Sequence, residues 1–401
     1  MEIKPFQLHF GLVNYAIFTH ISSRTSLFNM FRNVAIAISG GVDSAVCAYL
    51  LKERGYKVIG LFMKNWDELD EAGKCSGEHD LVDAEYTCKK LNIELKRINY
   101  VKDYWNSVFA SFLEDYQNGL TPNPDILCNK YIKFDVFYKY AIENLKLDAI
   151  ATGHYAKTTF GSYLENYSYD GDVRLLIPTD EFKDQTFFLS GIKQSSLRRT
   201  MFPLGNFYKT EVKKLARKIG LNNLANKRES TGICFVGHRN FKNFIREYIP
   251  SEVGSFIDID TGIIVGRHEG IHQWTIGQRC RLHSYLKPYF VAKKDVITNN
   301  IYVASGHDHQ SLFSNEIVVT EINWICEDPL KLSPILNCLF RFQHTKPLVK
   351  CKVVGNLGDT NIKIYLKEPL RAITPGQYAV FYNYSKECLG SARIIKSFNT
   401  K

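Results

Sequence analysis

The tightest constraint in this chain is a short buried run, Val34-Ala35-Ile36-Ala37-Ile38, followed at once by Ser39-Gly40-Gly41-Val42-Asp43-Ser44. A stretch of helical character over Ala45 to Arg54 comes next, with Gly55 as its stop. Five apolar residues, three of them β-branched, predict a strand. The two glycines let the backbone approach an anion closely. The helix start then aims free N–H groups and a partial positive charge at that anion, and Ser39 and Ser44 add hydroxyl donors. No lysine follows, so this is a phosphate cradle of a different kind from the GxxxxGK[ST] loop.

The pattern around it extends the same architecture. Lys57 to Met63, Glu94 to Ile98 and Asp148 to Thr152 read as strands, and Leu81 to Leu91, Asp103 to Gln117 and Lys130 to Leu145 as helices. Thr121-Pro122-Asn123-Pro124 reads as a loop, because two prolines two apart break regular elements. Alternating strands and helices predict a parallel sheet covered on both faces. After about residue 235 the texture changes to short alternating runs punctuated by Gly, Asp and Asn, such as Tyr378 to Tyr382 and Gly390 to Ile395, which is the pattern of small β-barrels. The expected class is α/β: a nucleotide-binding domain over 30–235, a β-rich central domain over 236–305 and a C-terminal β-barrel over 306–401, preceded by an extension over 1–29.

Composition narrows the function classes. The chain has 401 residues, 45% of them hydrophobic, enough for more than one core. No apolar run approaches the roughly 18 residues of a membrane span, so no membrane partner is expected. The balance of 51 basic against 41 acidic residues permits a polyanionic partner without requiring one. Ten cysteines include no CxxC pair, which argues against a zinc ribbon and against a disulfide-stapled secreted scaffold. No metal site is expected; His307-Asp308-His309 reads as a solvated turn. Residues 1–33 are acid-poor and serine-containing, the outline of an organelle transit peptide. Composition alone leaves open an unstructured extension, or a start at Met30.

Two cysteines stand in distinctive settings. In Asn123-Pro124-Asp125-Ile126-Leu127-Cys128-Asn129-Lys130, Asp125 and Cys128 are three apart at a loop-to-helix junction. A helix start and the nearby Lys130 favour a thiolate, and Asp125 is placed to shuttle a proton. In Ser230-Thr231-Gly232-Ile233-Cys234-Phe235, Gly232 lets a loop bend and expose Cys234.

The loop Ser39 to Ser44 resembles the SGGxDS loop of the ATP pyrophosphatase (PP-loop) superfamily. Further segments make the resemblance specific: Phe62-Met63-Lys64-Asn65-Trp66-Asp67, TPNPDILCNKYIKF over 121–134, ATGHYA over 151–156, Lys183-Asp184-Gln185, Phe202-Pro203-Leu204-Gly205, Gly232-Ile233-Cys234-Phe235 and WTIGQR over 274–279. In this order they are similar to the tRNA-specific 2-thiouridylase family, from about Met30 to the C-terminus. The stretch from Asn65 to Cys75, and Asp103-Tyr104-Trp105-Asn106, resemble its mitochondrial branch and favour a mitochondrial transit peptide.

The resemblance implies ATP-dependent 2-thiolation of the wobble uridine, U34, of certain tRNAs. ATP, with Mg2+, adenylates the C2 oxygen, and sulfur arrives as a persulfide from a donor protein, a cysteine desulfurase or relay. Cys234 matches the persulfide carrier, Cys128 the nucleophile that releases its sulfur, with a transient disulfide between them, and Asp125 the acid/base residue. Ala37, Ile38, Ser39, Gly40, Gly41, Val42, Asp43, Ser44, Met63 and Gly153 match ATP contacts. Asn123, Pro124 and Asp125 match the loop that holds the target base, while His154, Lys183, Asp184, Gln185, Arg341, Phe342 and Gln377 match positions that touch tRNA. The chain departs from the family at Gln273-Trp274, at Cys280-Arg281-Leu282 and at Phe342-Gln343, all in the β-rich half. The alternative from the same superfamily, a small-molecule adenylating ligase, requires neither cysteine.

Overall fold

The computed structural model describes residues 31–66, 76–228, 236, 240–282, 287–356 and 358–399. The expected extension over 1–29, and Cys75 and Cys234, lie outside them.

The buried run does form a strand, β1 (Asn33–Ala37), at the centre of a sheet with β2 (Lys57–Lys64), β3 (Glu94–Asn99), β4 (Ala149–Ala151) and β7 (Thr200–Met201) in the order β3-β2-β1-β4-β7. Every pairing is parallel. Val34, Ala35 and Ile36 are inaccessible, as both covered faces require. The chain leaves β1 toward β2 on one side and returns to β4 on the other. The carboxyl end of β1, where the glycine loop begins, is therefore a topological switch point, the usual ligand position in such sheets.

Helices α1 (Val42–Glu53) and α2 (Ser76–Leu91) cover this sheet, with α3 over 101–117 and α4 over 124–144. The last two contain wide π-type turns at Trp105–Phe109, Cys128–Val136 and Tyr140–Asn144, a geometry frequent near functional sites. Helix α4 starts earlier than the two prolines suggest. Asn123 is its N-cap, its Oδ1 accepting the Ile126 N–H at 3.3 Å. Pro124 occupies the first helical position, where the missing N–H is not needed. The proline read as a breaker is a starter.

The second half is two sheets. The strands β8 (Gly254–Asp258), β9 (Ile264–His268), β10 (Arg279–Cys280), β11 (Tyr289–Asp295) and β12 (Asn300–Ser305) make a five-stranded sheet in the order β10-β11-β12-β8-β9. The C-terminal strands β13 (Phe313–Trp324), β14 (Ile335–Arg341), β15 (Val349–Val354), β16 (Ile362–Arg371), β17 (Tyr378–Tyr382) and β18 (Glu387–Phe398) run antiparallel, and β13 pairs with β18 to close a barrel. The architecture is the expected one, with β10 and β14 added to the strands the alternation predicted. A hairpin of the α/β half, β5 (Lys157–Thr158) and β6 (Leu175–Leu176), extends the barrel sheet at β18.

Strand β17 shows how the halves join. All five of its residues are buried. Ala379 and Phe381 belong to the barrel core, while Tyr378, Val380 and Tyr382 belong to the core of the α/β half. Period-two alternation has given each face a different hydrophobic partner. Among the described residues no helix is long and apolar enough to cross a membrane.

Candidate functional site

The glycine loop takes its shape from two close approaches. Gly40 has φ +72°, and a Cβ there would lie 2.3 Å from the Asp80 carbonyl oxygen, so no other residue fits. Gly153, at the end of β4, would place a Cβ 2.8 Å from the Ser44 nitrogen; its bareness lets that end abut the start of α1. Gly41 differs, since a Cβ there meets only the Ser39 Oγ at 3.3 Å. The hydroxyl of Ser44 donates to the Gly41 carbonyl at 3.0 Å and accepts the Ser39 N–H at 3.1 Å, drawing the loop into a closed cradle. Ala37 and Ile38 lead into it, Val42 is buried beneath it, and Met63 lies half-buried on the neighbouring strand β2.

Asp43, the cradle's acid, is held by residues the sequence reading did not single out. Lys209 Nζ donates to both its oxygens, at 2.7 and 2.6 Å, and the Tyr155 hydroxyl donates to Oδ1 at 3.0 Å. Lys209 opens the helix α5 (Lys209–Lys218), and its backbone N–H donates to Asp180 at 2.9 Å. A cation at a helix start opposes the macrodipole; that mismatch is the one local sign that Lys209 has a partner elsewhere. Tyr155 is fixed in turn by Gln185, whose Oε1 accepts the Tyr155 N–H at 2.8 Å.

The segment Gly153-His154-Tyr155 joins this cradle to the start of α4. His154 Nδ1 pairs with Thr152 Oγ1 at 2.9 Å. Burial first, and then the Lys133 charge, push its imidazole well below the usual histidine range. Burial also raises the Asp125 carboxyl, opposed by the same Lys133. The Lys133 charge thus acts on both Asp125 and His154. Lys130, expected near the Cys128 thiol, lies over the Tyr131 ring, with Nζ 5.1 Å from its centroid. Cys128 is buried at the point where α4 widens. Cys234 lies outside the described residues, so the structure gives no distance between the two cysteines.

Gln377 latches the loop before α4 to the barrel. Its Nε2 donates to the Thr121 and Pro122 carbonyls at 2.8 and 3.1 Å, and its Oε1 accepts from Asn123 Nδ2 at 3.3 Å. Beside it, Gly376 at φ +93° leaves room for Thr121, whose nitrogen would be 2.7 Å from an added Cβ.

The other expected tRNA contacts divide. His154, Lys183 and Gln185 are half-buried. Asp184 and Arg341 instead pair with each other inside the protein. Asp184 Oδ1 also accepts from the Thr186 hydroxyl at 2.7 Å, and Arg341 donates to the Tyr382 hydroxyl at 2.8 Å. Phe342 lies in the barrel core, stacked on Phe340. Among the described residues no group of three His, Cys, Asp or Glu side chains is arranged to hold a metal. Within the His307-Asp308-His309 turn, His309 pairs with Asp260 at 2.9 Å.

Three family models match the chain consecutively: a tRNA methyl transferase HUP domain over 32–238, a tRNA methyl transferase PRC-barrel domain over 242–305 and an aminomethyltransferase beta-barrel domain over 314–394. Among whole-length relatives, the mitochondrial tRNA-specific 2-thiouridylase 1 of Drosophila melanogaster is 61% identical over 371 residues, spanning 92% of this chain and 95% of its own. The protein of that name from Homo sapiens is 43% identical, spanning 91% and 90%. The tRNA-specific 2-thiouridylase MnmA of Mycoplasma capricolum is 45% identical, spanning 92% and 99%.

Proposed function

From the chain's membership of the tRNA-specific 2-thiouridylase family, we propose how its residues divide the work of a mitochondrial tRNA sulfurtransferase. The observation that supports this reading is the run of bonds from Lys209 through Asp43 to Tyr155, next to Gly153-His154, together with a Lys133 charge that acts on both His154 and the half-buried Asp125.

ATP binds in the cradle Ser39 to Ser44, with Ala37, Ile38, Met63 and Gly153 around it. The wobble uridine lies against Asn123, Pro124 and Asp125. Its C2 oxygen attacks the α-phosphorus and pyrophosphate leaves, so a poor leaving group becomes AMP. Mg2+ supplies charge neutralisation along the triphosphate. Among the cradle residues Asp43 would be the one to hold that ion, its carboxylate being paired with Lys209 as well. Cys234 receives a persulfide from a cysteine desulfurase or relay. The Cys128 thiolate attacks the inner sulfur of Cys234, a Cys128–Cys234 disulfide forms and sulfide departs. Sulfide adds at C2, AMP leaves, and an external dithiol reduces the disulfide. Asp125 moves the proton at the base.

His154, Lys183, Gln185 and Gln377 are the tRNA-facing set. Asp184, Arg341 and Phe342 act beneath that surface, fixing its shape. The domain limits 30–235, 236–305 and 306–401 assign nucleotide chemistry to the first unit and RNA docking to the last.

The test is to supply an unmodified tRNA transcript, ATP with Mg2+ and a persulfide-loaded desulfurase. Nucleoside mass spectrometry should find 2-thiouridine, with one AMP and one pyrophosphate per sulfur. Formation of ADP and phosphate would overturn the adenylation step, and modified uridine in the absence of ATP would overturn the whole scheme.

A further inference from the structure

A second cavity adjoins the target-base loop on a side that the thiolation chemistry does not use. It has a volume of about 310 Å³, near the lower limit for small-ligand sites. One wall is α3, through Ser107, Ser111 and Asp115, and another is α4, through Asn123, Leu127 and Tyr131. Each trio is spaced by four and shares one helix face. The barrel closes it with Glu321, Gly376, Tyr378 and Arg393. Asp125 and Cys128 do not line it. Asn123 alone belongs both to this cavity and to the loop expected to hold the target base.

Two features mark it as built. Arg393 is held by Asp115 and, at 2.9 Å, by Glu321, so its guanidinium is fixed at the wall rather than free to sweep it. Glu321 sits at φ +50°, in the left-handed region disfavoured for residues with a side chain. It lies where the β13–β18 register slips between Thr320 and Asn323. That bulge turns the Glu321 carboxylate onto Arg393, and strain of this kind gathers at ligand sites.

We propose, building on the thiouridylase reading, that this cavity receives the base immediately flanking the target uridine on the same RNA. Presenting one base to Asn123–Asp125 unstacks its neighbours, and an unstacked base needs aromatic faces and edge partners. Half-buried Tyr131 supplies a face, and Tyr378, packed in the core behind it, supplies an apolar floor. Fixed Arg393 donors, the two carboxylates as acceptors and the hydroxyls of Ser107 and Ser111 supply the edges. The cavity sets the register of the strand across the loop, one base in the chemistry and its neighbour behind α4.

The experiment measures binding of a fluorescent anticodon stem-loop without ATP, comparing the intact RNA with versions abasic on either side of the target. Wild-type protein should prefer the intact loop to one of the two abasic loops by roughly tenfold, the scale of one stacked base. Ser111→Leu, which narrows the cavity, should abolish that preference while binding the abasic loop as wild type does. Glu321→Gly, which φ +50° accommodates without strain, should do the same if the leucine variant fails to fold. Millimolar ATP should leave the preference unchanged; its loss would place a mononucleotide in the cavity and overturn the proposal. Equal binding of all three loops by wild type would also overturn it, while leaving the thiouridylase reading intact. Failure to bind any loop would remove that reading, and this inference with it.

Discussion

Replacing Lys209 by methionine tests the arrangement of the phosphate cradle most directly. At about 2.7 Å and an effective dielectric of about 20, the attraction between Lys209 and Asp43 is roughly 6 kcal/mol before solvation is counted. Removing one partner of a fully buried pair costs about 3–5 kcal/mol, because the other charge is stranded. Here the side chains of Lys209 and Asp43 keep 11% and 30% of their surface exposed, and the Tyr155 hydroxyl still donates to Asp43. The net loss should therefore be about 2–3 kcal/mol, or roughly 4–10 °C in the melting of the α/β half. Thermal denaturation without nucleotide reads this. Asp43→Asn combined with Lys209→Met removes the stranded charge and should recover most of the loss, a coupling that a double-mutant cycle isolates. The thermal shift produced by ATP should follow the same pattern. It should shrink in Lys209→Met, whose bare carboxylate faces the triphosphate, and return in the double variant. A double variant less stable than Lys209→Met alone would refute the reasoning, since it would mean that the Asp43 carboxylate stabilises the fold without Lys209, through Tyr155, rather than being stranded.

Three further outcomes follow from the site. Gln377→Ala removes the latch on Thr121, Pro122 and Asn123; thiolation should fall about tenfold or more through kcat, whereas ATP affinity, measured by titration, should stay within about twofold. Asp125→Asn should raise the melting temperature at neutral pH. Burial lifts the native carboxyl above its ordinary 3.8, so ionised Asp125 destabilises the fold above its native pKa. The benefit should fade as pH falls through that raised pKa and vanish below about 3.8; a benefit that persists in acid would exclude desolvation as its cause. The two cysteines should fail differently with radiolabelled sulfur. Cys234→Ser should hold no label, Cys128→Ser should accumulate it on the protein, and neither should form 2-thiouridine; full thiolation by either variant would remove the two-cysteine scheme.

What could be read in the sequence was what short segments decide for themselves. The β1 strand, the glycine cradle and the alternation of the later strands are each set within about ten residues. Even there, local rules compete. Asn123-Pro124 obeys the rule that proline interrupts a helix, and also the rule that proline starts one. The N-cap bond from Asn123 to Ile126 decides the matter, and it is invisible until the backbone turns. The contacts that complete the site are of another kind. Asp43 meets Lys209 across 166 residues and Asp115 meets Arg393 across 278, distances over which no periodicity carries information. Lys133 and Lys130 are three apart and chemically alike, yet along α4, widened after Cys128, the charge of one acts on Asp125 and His154 while the other lies over Tyr131. The same limit explains Asp184 and Arg341. The family resemblance implies tRNA contact for both, whereas the structure buries them where β17 packs against the α/β half and turns both charges on each other. In the scheme proposed above, the pair serves RNA binding only indirectly, because Asp184 lies in the chain between Lys183 and Gln185 and is anchored to Arg341 beneath them.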